Sequence, residues 1–352
     1  MEIALRLALF LLLACFAVGT ARAADLAGFR HVTIPASQRG SALEGVVWYP
    51  AGSGGTPILV GDNPILVGQR VQLNAPILAG RHALVVLSHG YSGHWNNQGW
   101  LAVDLVSAGY VVAAVNHPGT TAKDMNTATA ARLWQRPMDI SRTIDALTLD
   151  PAWSGAIAAD RVAAIGHSLG GWTVIELAGA QFDPARFDAD CKAHRALAAC
   201  DFFQRIGGGS DAASRAALAQ SLKDPRIKAI VSLDLGLTGG FDPSSLAGID
   251  RPILLIAAAT PNEHIPTGLE SRRLADLLPP ATTRYVEIPG AAHFSFLPTC
   301  KPGGGALLAK ESPDDAIVCA DGSGADRDAI HRQAANEIIR FLAASLSSTQ
   351  ER

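Results

Sequence analysis

Ala163-Ala164-Ile165-Gly166-His167-Ser168-Leu169-Gly170-Gly171-Trp172-Thr173-Val174-Ile175 is the stretch that decides the fold. A short apolar run, Arg161 to Gly166, meets Gly-x-Ser-x-Gly and passes directly into a helical pattern. A sharp strand-to-helix turn of this kind forces the serine into a strained backbone conformation. Its flanking positions must be glycine, because side chains there would collide with the neighbouring strand and helix. The turn lifts the Ser168 hydroxyl above the sheet and sets it at the positive end of a helix, where free backbone N–H groups stabilise a developing oxyanion. In a chain with 34 glycines the five-residue pattern alone could be an ordinary turn. The strand before it and the helix after it select the nucleophile reading.

Working outward, short apolar runs alternate with helical patterns on both sides of this turn. Ala83 to Ser88 is followed by a helix from about Gln98, Tyr110 to Asn116 by a helix from about Asp139, and Arg161 to Gly166 by the helix near Gly171. That alternation predicts a mostly parallel central sheet with helices on both faces. Two early strands are expected between Phe29 and Pro50. From Gly54 to Gly80 the phrase Pro-Ile-Leu recurs irregularly, at Pro57, Pro64 and Pro76, and reads as an extended surface segment. Residues 181–225 are polar, cysteine-bearing and patchily helical, which reads as a small cap insertion. Strands Lys228 to Leu233, Pro252 to Ala258 and Arg284 to Ile288 then resume the sheet, and an amphipathic helix from about Asp328 to Leu346 closes the chain. The order is that of the α/β-hydrolase fold, as one domain over residues 24–352.

Bulk properties bound the function. Of 352 residues 48% are hydrophobic and 17% charged, ample for a large core, and the net charge of -3 offers no basic face for nucleic acid. Arg6, the apolar run Leu7 to Val18 and Thr20-Ala21-Arg22-Ala23 read as a signal peptide over residues 1–23, cut after Ala23. The run is shorter than the roughly 20 apolar residues needed to span a bilayer, so no stable membrane span is expected. A lipoprotein acylated at Cys15 is the alternative. Export to the periplasm or the medium leaves Cys191, Cys200, Cys300 and Cys319, an even number in an oxidising compartment, and so two disulfides. Four cysteines allow three pairings; the local one, Cys191 with Cys200 and Cys300 with Cys319, closes short loops inside two segments that read as insertions. No Cys-x-x-Cys pair supports zinc, and His89 with His94 lacks a third ligand, so neither metal nor organic cofactor is expected.

A hydroxyl nucleophile needs a base late in the chain. His293, in Gly290-Ala291-Ala292-His293-Phe294 after the last strand, fits that place, whereas His331 sits inside the terminal helix and reads as a solvated helix residue. His89, His117 and His167 precede the nucleophile or adjoin it and read as structural. A carboxylate must orient the imidazole, and two strand ends offer one. Asp234 directly follows Ile230-Val231-Ser232-Leu233, while Glu263 lies in Pro261-Asn262-Glu263-His264 after the next strand. Spacing leaves the two level. His89-Gly90-Tyr91-Ser92-Gly93 follows the strand expected to border the elbow, which nominates the backbone N–H groups of Tyr91 and Leu169 for the oxyanion hole.

Taken together, several motifs resemble the bacterial relatives of the type-II platelet-activating-factor acetylhydrolases, often grouped with dienelactone-hydrolase-like proteins. They are Leu87-Ser88-His89-Gly90-Tyr91, Val115-Asn116-His117-Pro118-Gly119-Thr120-Thr121, Arg136-Pro137-x-Asp139-Ile140, Gly166-His167-Ser168-Leu169-Gly170-Gly171, Leu233-Asp234 and Gly290-Ala291-Ala292-His293-Phe294-Ser295-Phe296. The resemblance spans nearly the whole mature chain. It implies that the acid follows the strand after the cap, within a Leu-Asp pair, which transfers that role to Asp234. Dienelactone hydrolases proper use a cysteine nucleophile, so their activity is not implied for a chain with Ser168. The aromatic after Gly90 is similar to the oxyanion residue of secreted polyester hydrolases and cutinases.

The resulting expectation is a secreted serine carboxylic-ester hydrolase acting on short-acyl or lipid-like esters, with Ser168, His293 and Asp234 as triad and Tyr91 and Leu169 at the oxyanion. Trp95, Phe294 and Phe296 are candidate wall residues; Trp172 is assigned to core packing. Polyester or cutin cleavage and amide or peptide hydrolysis are alternatives that use the same triad. A binding module on a hydrolase fold is the non-enzymatic one.

Overall fold

The computed structural model describes residues 27–347, so the expected leader, its cut after Ala23 and Cys15 lie outside the described residues. In chain order the elements used below are β1 (Gly28–Ile34), β2 (Leu43–Tyr49), β3 (Thr56–Val60), β4 (Gln69–Leu73), β5 (His82–Ser88), α1 (Gly99–Ser107), β6 (Val111–Val115), α2 (Gln135–Leu149), β7 (Ile157–His167) and α3 (Leu169–Ala178). They continue with α4 (Pro184–Ala193), α5 (Ala198–Arg205), α6 (Ala212–Ala219), β8 (Ile227–Leu233), β9 (Ile253–Ala258), α7 (Ser271–Leu277), β10 (Thr283–Ile288), α8 (Gly304–Glu311) and α9 (Arg327–Ser345).

Ten strands form one sheet in the order β10-β9-β8-β7-β5-β6-β2-β1-β4-β3. The six from β10 to β6 are parallel, and β2 runs antiparallel to both β6 and β1. The parallel strands are apolar without interruption, Leu84-Val85-Val86-Leu87 in β5 and Val111 to Val115 in β6, because both of their faces are covered. Alternation decides which face each side chain joins. Leu84 and Val86 pack with Ile140 and Ile144 of α2 and Val174 and Ile175 of α3, whereas Val85 and Leu87 pack with Leu101 and Leu105 of α1 and Ile338 and Leu342 of α9. In α9 the buried residues Ile330, Ala334, Ile338 and Leu342 recur at four-residue spacing, the stripe that docks a helix on a sheet. Each large aliphatic side chain so buried contributes about 1.5–3 kcal/mol.

From β5 the chain moves to β6 on one side and later to β7 on the other. Loops leaving the carboxyl ends of β5 and β7 therefore diverge, and a crevice opens between them, the usual ligand site of an open α/β sheet. Ser168 follows β7 and His89 follows β5.

Two expectations are corrected. The segment 54–80 is not merely extended: β3 and β4 pair antiparallel and join the sheet through β4 and β1, burying Val60 and Val71. Pro57 is tolerated because β3 is the edge strand, where a missing N–H need not break a ladder. His331 is not solvated. It is 6% exposed, stacks on Trp100 at 3.8 Å between ring centres, and its Nε2–H donates to the carbonyls of Ser295 and Leu297 at 2.9 and 3.0 Å.

Between α3 and β8, helices α4, α5 and α6 occupy the segment expected as an insertion. The cysteines pair locally, Cys191 with Cys200 joining α4 to α5 and Cys300 with Cys319 closing the α8 region. Among the described residues no helix is long and apolar enough to cross a membrane.

Candidate active site

Ser168 has φ +55° and ψ -120°, a conformation that costs an L residue of order 1–3 kcal/mol and persists only where its surroundings enforce it. The surroundings here are glycines in contact. A Cβ on Gly166 would lie 1.9 Å from the Gly170 carbonyl oxygen, and one on Gly170 would lie 1.9 Å from that of Ser88. The elbow can therefore press against both β5 and its own strand only with hydrogen at these two positions. The Ser168 N–H donates to Leu233 O at 2.9 Å, which ties the elbow to the end of β8.

His293 opens a single 3-10 turn, His293–Phe296, after β10. Its Nε2 lies 3.0 Å from Ser168 Oγ and its Nδ1 lies 2.7 Å from Asp234 Oδ2. Asp234, one residue beyond β8 at φ +43°, is held from both sides. Its N–H donates to Ile256 O at 2.7 Å, and its Oδ1 accepts the Ala258 N–H at 2.9 Å. The imidazole loop is held too. His167, between Gly166 and Ser168, donates from Nε2 to the His293 carbonyl at 2.9 Å; burial drives its pKa down to about 3, so it stays neutral. His331 holds the far end of the same turn through Ser295 and Leu297.

Of the two candidate acids, the fold brings Asp234 to His293 and leaves Glu263 on an exposed turn. The Glu263 side chain is 85% exposed and pairs only with the neighbouring His264 at 3.6 Å. A carboxylate there faces water, while Asp234 is 4% exposed beside a 6% exposed imidazole.

Tyr91 and Leu169 both border Ser168. The Leu169 N–H is the first of α3 and has no intrahelical acceptor, so it is free for an anion. Gly90 lets the loop come close, since a Cβ there would sit 3.2 Å from Ser168 Cβ.

Ser168 and His293 open into a cavity of about 290 Å³ walled by Tyr91, Leu169, Ala198, Ala199, Phe202, Leu237, Ile265 and Phe294, with Arg205 and Glu270 as further ionisable side chains on its lining. Three of these walls come from α5 in the inserted segment. Larger clefts of about 750 and 590 Å³ lie among the inserted helices and beside Trp95, and neither contains Ser168, His293 or Asp234. The wall expectations are thus corrected in part. Phe294 lines the cavity, but Trp95 packs against Phe29, His31 and Trp48, and Phe296 is fully buried under the His293 turn. Trp172 is core, as read from the sequence.

Glu270 and Phe202 went unnoticed in the sequence. Glu270 is fully buried, accepts the N–H groups of Leu237 and Thr238 at 3.3 and 2.8 Å, and is pushed up to about 7 chiefly by burial. No motif surrounds it; only the packing of α7 against the Asp234 loop reveals it. Among the described residues no three His, Cys, Asp or Glu side chains are grouped to hold a metal. Both ring nitrogens of His89 are already hydrogen-bonded within the protein.

Comparison with known proteins agrees with this architecture. Residues 79–189 match the family model described as serine aminopeptidase, S33, a span that holds the Tyr91 loop and the elbow but neither Asp234 nor His293. No curated protein matches the sequence. A solved structure named as a ferulic acid esterase from Streptomyces cinnamoneus superimposes with a TM-score of 0.61, covering 94% of each chain at 19% identity. Sheet order, elbow and structural likeness together establish that this chain has the α/β-hydrolase fold.

Proposed function

We propose that the protein is a serine carboxylic-ester hydrolase working through an acyl-enzyme. The single observation that carries this reading is the unbroken hydrogen-bond chain Ser168 Oγ to His293 Nε2 and His293 Nδ1 to Asp234 Oδ2, opening on a mainly apolar cavity. In the proposed cycle His293 takes the Ser168 proton as the hydroxyl adds to the ester carbonyl. Asp234 holds the imidazole with its Nε2 facing the serine and stabilises its cation. The negative oxygen is met by the N–H groups of Tyr91 and Leu169. Collapse expels the alcohol, which takes the proton from His293, and water attacks the acyl-enzyme by the reverse route to release the acid.

The cavity supports a compact or lipid-like acyl group. At about 290 Å³, with Phe202, Phe294 and Tyr91 as walls, it suits a short chain or one ring. The neighbour named as a ferulic acid esterase makes an aromatic-acid ester worth including in the substrate panel. The narrower kinship with type-II platelet-activating-factor acetylhydrolase relatives is supported by the motifs around Tyr91, Ser168, Asp234 and His293. The two disulfides support residence in an oxidising compartment, in keeping with the leader read over residues 1–23.

The test is turnover of p-nitrophenyl acetate, butyrate and octanoate, methyl ferulate and a short-acyl phospholipid by wild type and Ser168→Ala, with amino-acid p-nitroanilides as the amide arm. Ester turnover lost in Ser168→Ala supports the reading. Equal rates in both proteins, or hydrolysis of anilides alone, would overturn it.

A further inference from the structure

The Gly90–Tyr91 peptide lies in a loop, so no ladder or helix sets its direction. In a trans peptide the C=O and the N–H point in opposite directions. Whatever pins the Gly90 carbonyl therefore aims the Tyr91 N–H the other way. Gly90 O is approached by His89 Nδ1 at 2.6 Å and by the Gly93 N–H at 3.2 Å. The tautomer of His89 follows from its other nitrogen. The His117 N–H donates to His89 Nε2 at 3.1 Å, and a backbone N–H can only donate, so Nε2 is bare and the hydrogen sits on Nδ1. Thr121 Oγ1, 3.2 Å away, faces the same Nε2.

His89 is 2% exposed, and burial, with the Arg136 cation next in effect, keeps its imidazole well below the usual range and so uncharged. Arg136, itself buried, donates to the His89 carbonyl through Nη2 and to Thr173 Oγ1 through Nε at 3.1 Å; the Thr173 hydroxyl in turn donates to Leu169 O at 2.8 Å. One guanidinium thus reaches the loop that carries one oxyanion donor and the first turn of the helix that carries the other. With the His89 carbonyl held by Arg136, the Gly90–Tyr91 plane is fixed through its own carbonyl, on which the His89 Nδ1 bond at 2.6 Å is the shorter of two and the Gly93 N–H at 3.2 Å the longer.

We propose that His89 is a positioning residue for the oxyanion hole, its Nδ1–H holding the Gly90 carbonyl so that the Tyr91 N–H points at the oxygen on which charge develops. This rests on the ester-hydrolase reading above. It assigns a role in the reaction to a histidine that would otherwise be core filling, and it makes the two nitrogens of the ring separable. Asparagine places an N–H₂ where Nδ1 stands; glutamine places its amide where Nε2 stands.

The experiment compares His89→Asn and His89→Gln with wild type by p-nitrophenyl butyrate kinetics, inhibition by phenylboronic acid and thermal unfolding. Phenylboronic acid adds to an active-site serine as a tetrahedral anion and so reports the oxyanion hole. His89→Asn should keep kcat within about threefold of wild type even though it melts earlier, because the His117 N–H loses its acceptor. His89→Gln should lose about 10- to 100-fold in kcat with KM within about threefold, and bind phenylboronic acid more weakly in parallel, as expected when a transition-state donor is misaimed. A purely structural histidine would instead make activity follow melting temperature, and glutamine matching wild type or asparagine falling as far as glutamine would overturn the proposal. Should a variant not fold, nitrogen-detected NMR of wild type decides. A neutral Nδ1–H tautomer for His89 from pH 5 to 9 sustains the proposal, and an Nε2–H tautomer or an imidazolium ends it. Failure of the underlying reading looks different, since wild type would then lack Ser168-dependent ester turnover whatever the tautomer.

Discussion

Asp234 Oδ2 lies 2.7 Å from His293 Nδ1 while Asp234 Oδ1 accepts the Ala258 N–H, so one carboxylate joins the imidazole to the end of β9. The aspartate cannot swing away from the histidine without giving up a buried hydrogen bond. Asp234→Asn is accordingly expected to lower kcat by about 10³- to 10⁴-fold, because an amide can present its N–H₂ to Nδ1 and stabilise the wrong tautomer. Glu263→Gln, at an exposed turn, should stay within about twofold of wild type. Steady-state kinetics on p-nitrophenyl butyrate decide, and the reverse ranking would move the acid to Glu263.

The cavity walls should control acyl length. Phe202 stands on α5 against the Tyr91 ring at 4.7 Å between ring centres, and Phe294 follows His293. Removing either ring lengthens the cavity. Phe202→Ala is expected to raise kcat/KM for octanoate relative to acetate by about tenfold, the scale set by a few buried methylenes at about 0.8 kcal/mol each. An unchanged ratio would place the acyl chain elsewhere.

The two disulfides should separate by function. Each closes a short loop, its partners 9 and 19 positions apart in sequence, and removal of either should cost about 2–3 kcal/mol of stability. Only Cys191 with Cys200 holds α5, which supplies Ala198, Ala199, Phe202 and Arg205 to the cavity. The double change Cys191→Ser with Cys200→Ser is expected to raise KM severalfold, whereas Cys300→Ser with Cys319→Ser should leave KM alone. Denaturant melts and kinetics on the two double variants test this, and equal KM values would show that α5 is held by packing alone.

Glu270 makes stability depend on pH. Its carboxyl is pushed from an ordinary 4.5 up to about 7 by burial, against two backbone N–H bonds that lower it. A carboxyl whose pKa is higher folded than unfolded binds its proton more readily in the native state. Its contribution is fully present below about 4.5 and is lost as pH rises through 7. Glu270→Gln should therefore gain on wild type between pH 4.5 and 8 by of order 1–2 kcal/mol. Urea midpoints of the two proteins across that range measure the difference; parallel curves would refute it.

Much of the fold was legible because its signals are local. β5, β6 and β9 are uninterrupted apolar runs, α9 carries a four-residue stripe, and the elbow announces itself through glycines whose need is steric and adjacent in sequence. The β3–β4 hairpin was hidden because its prolines resemble loop residues until the strand is known to lie at the sheet edge. His331 was hidden for a similar reason: a polar residue in an amphipathic helix looks solvated until Trp100, more than 200 positions earlier, is seen stacked on it.

By itself the sequence determined the α/β-hydrolase class, the place of Ser168 on a strand-to-helix turn and the position of His293 after the last strand, since each follows from periodicity or from residues within a few positions of one another. Spacing left Asp234 and Glu263 level and the motif resemblance favoured Asp234; only the tertiary structure brought that carboxylate to the imidazole, chose which aromatics wall the cavity and showed what holds the Gly90–Tyr91 loop. Asp234 and His293 are 59 residues apart, and Trp95 and Phe294 differ in the direction they face, not in chemistry. Such relations depend on how strands are ordered in the sheet and how loops pack above it, and no local pattern encodes the distance between two strand ends.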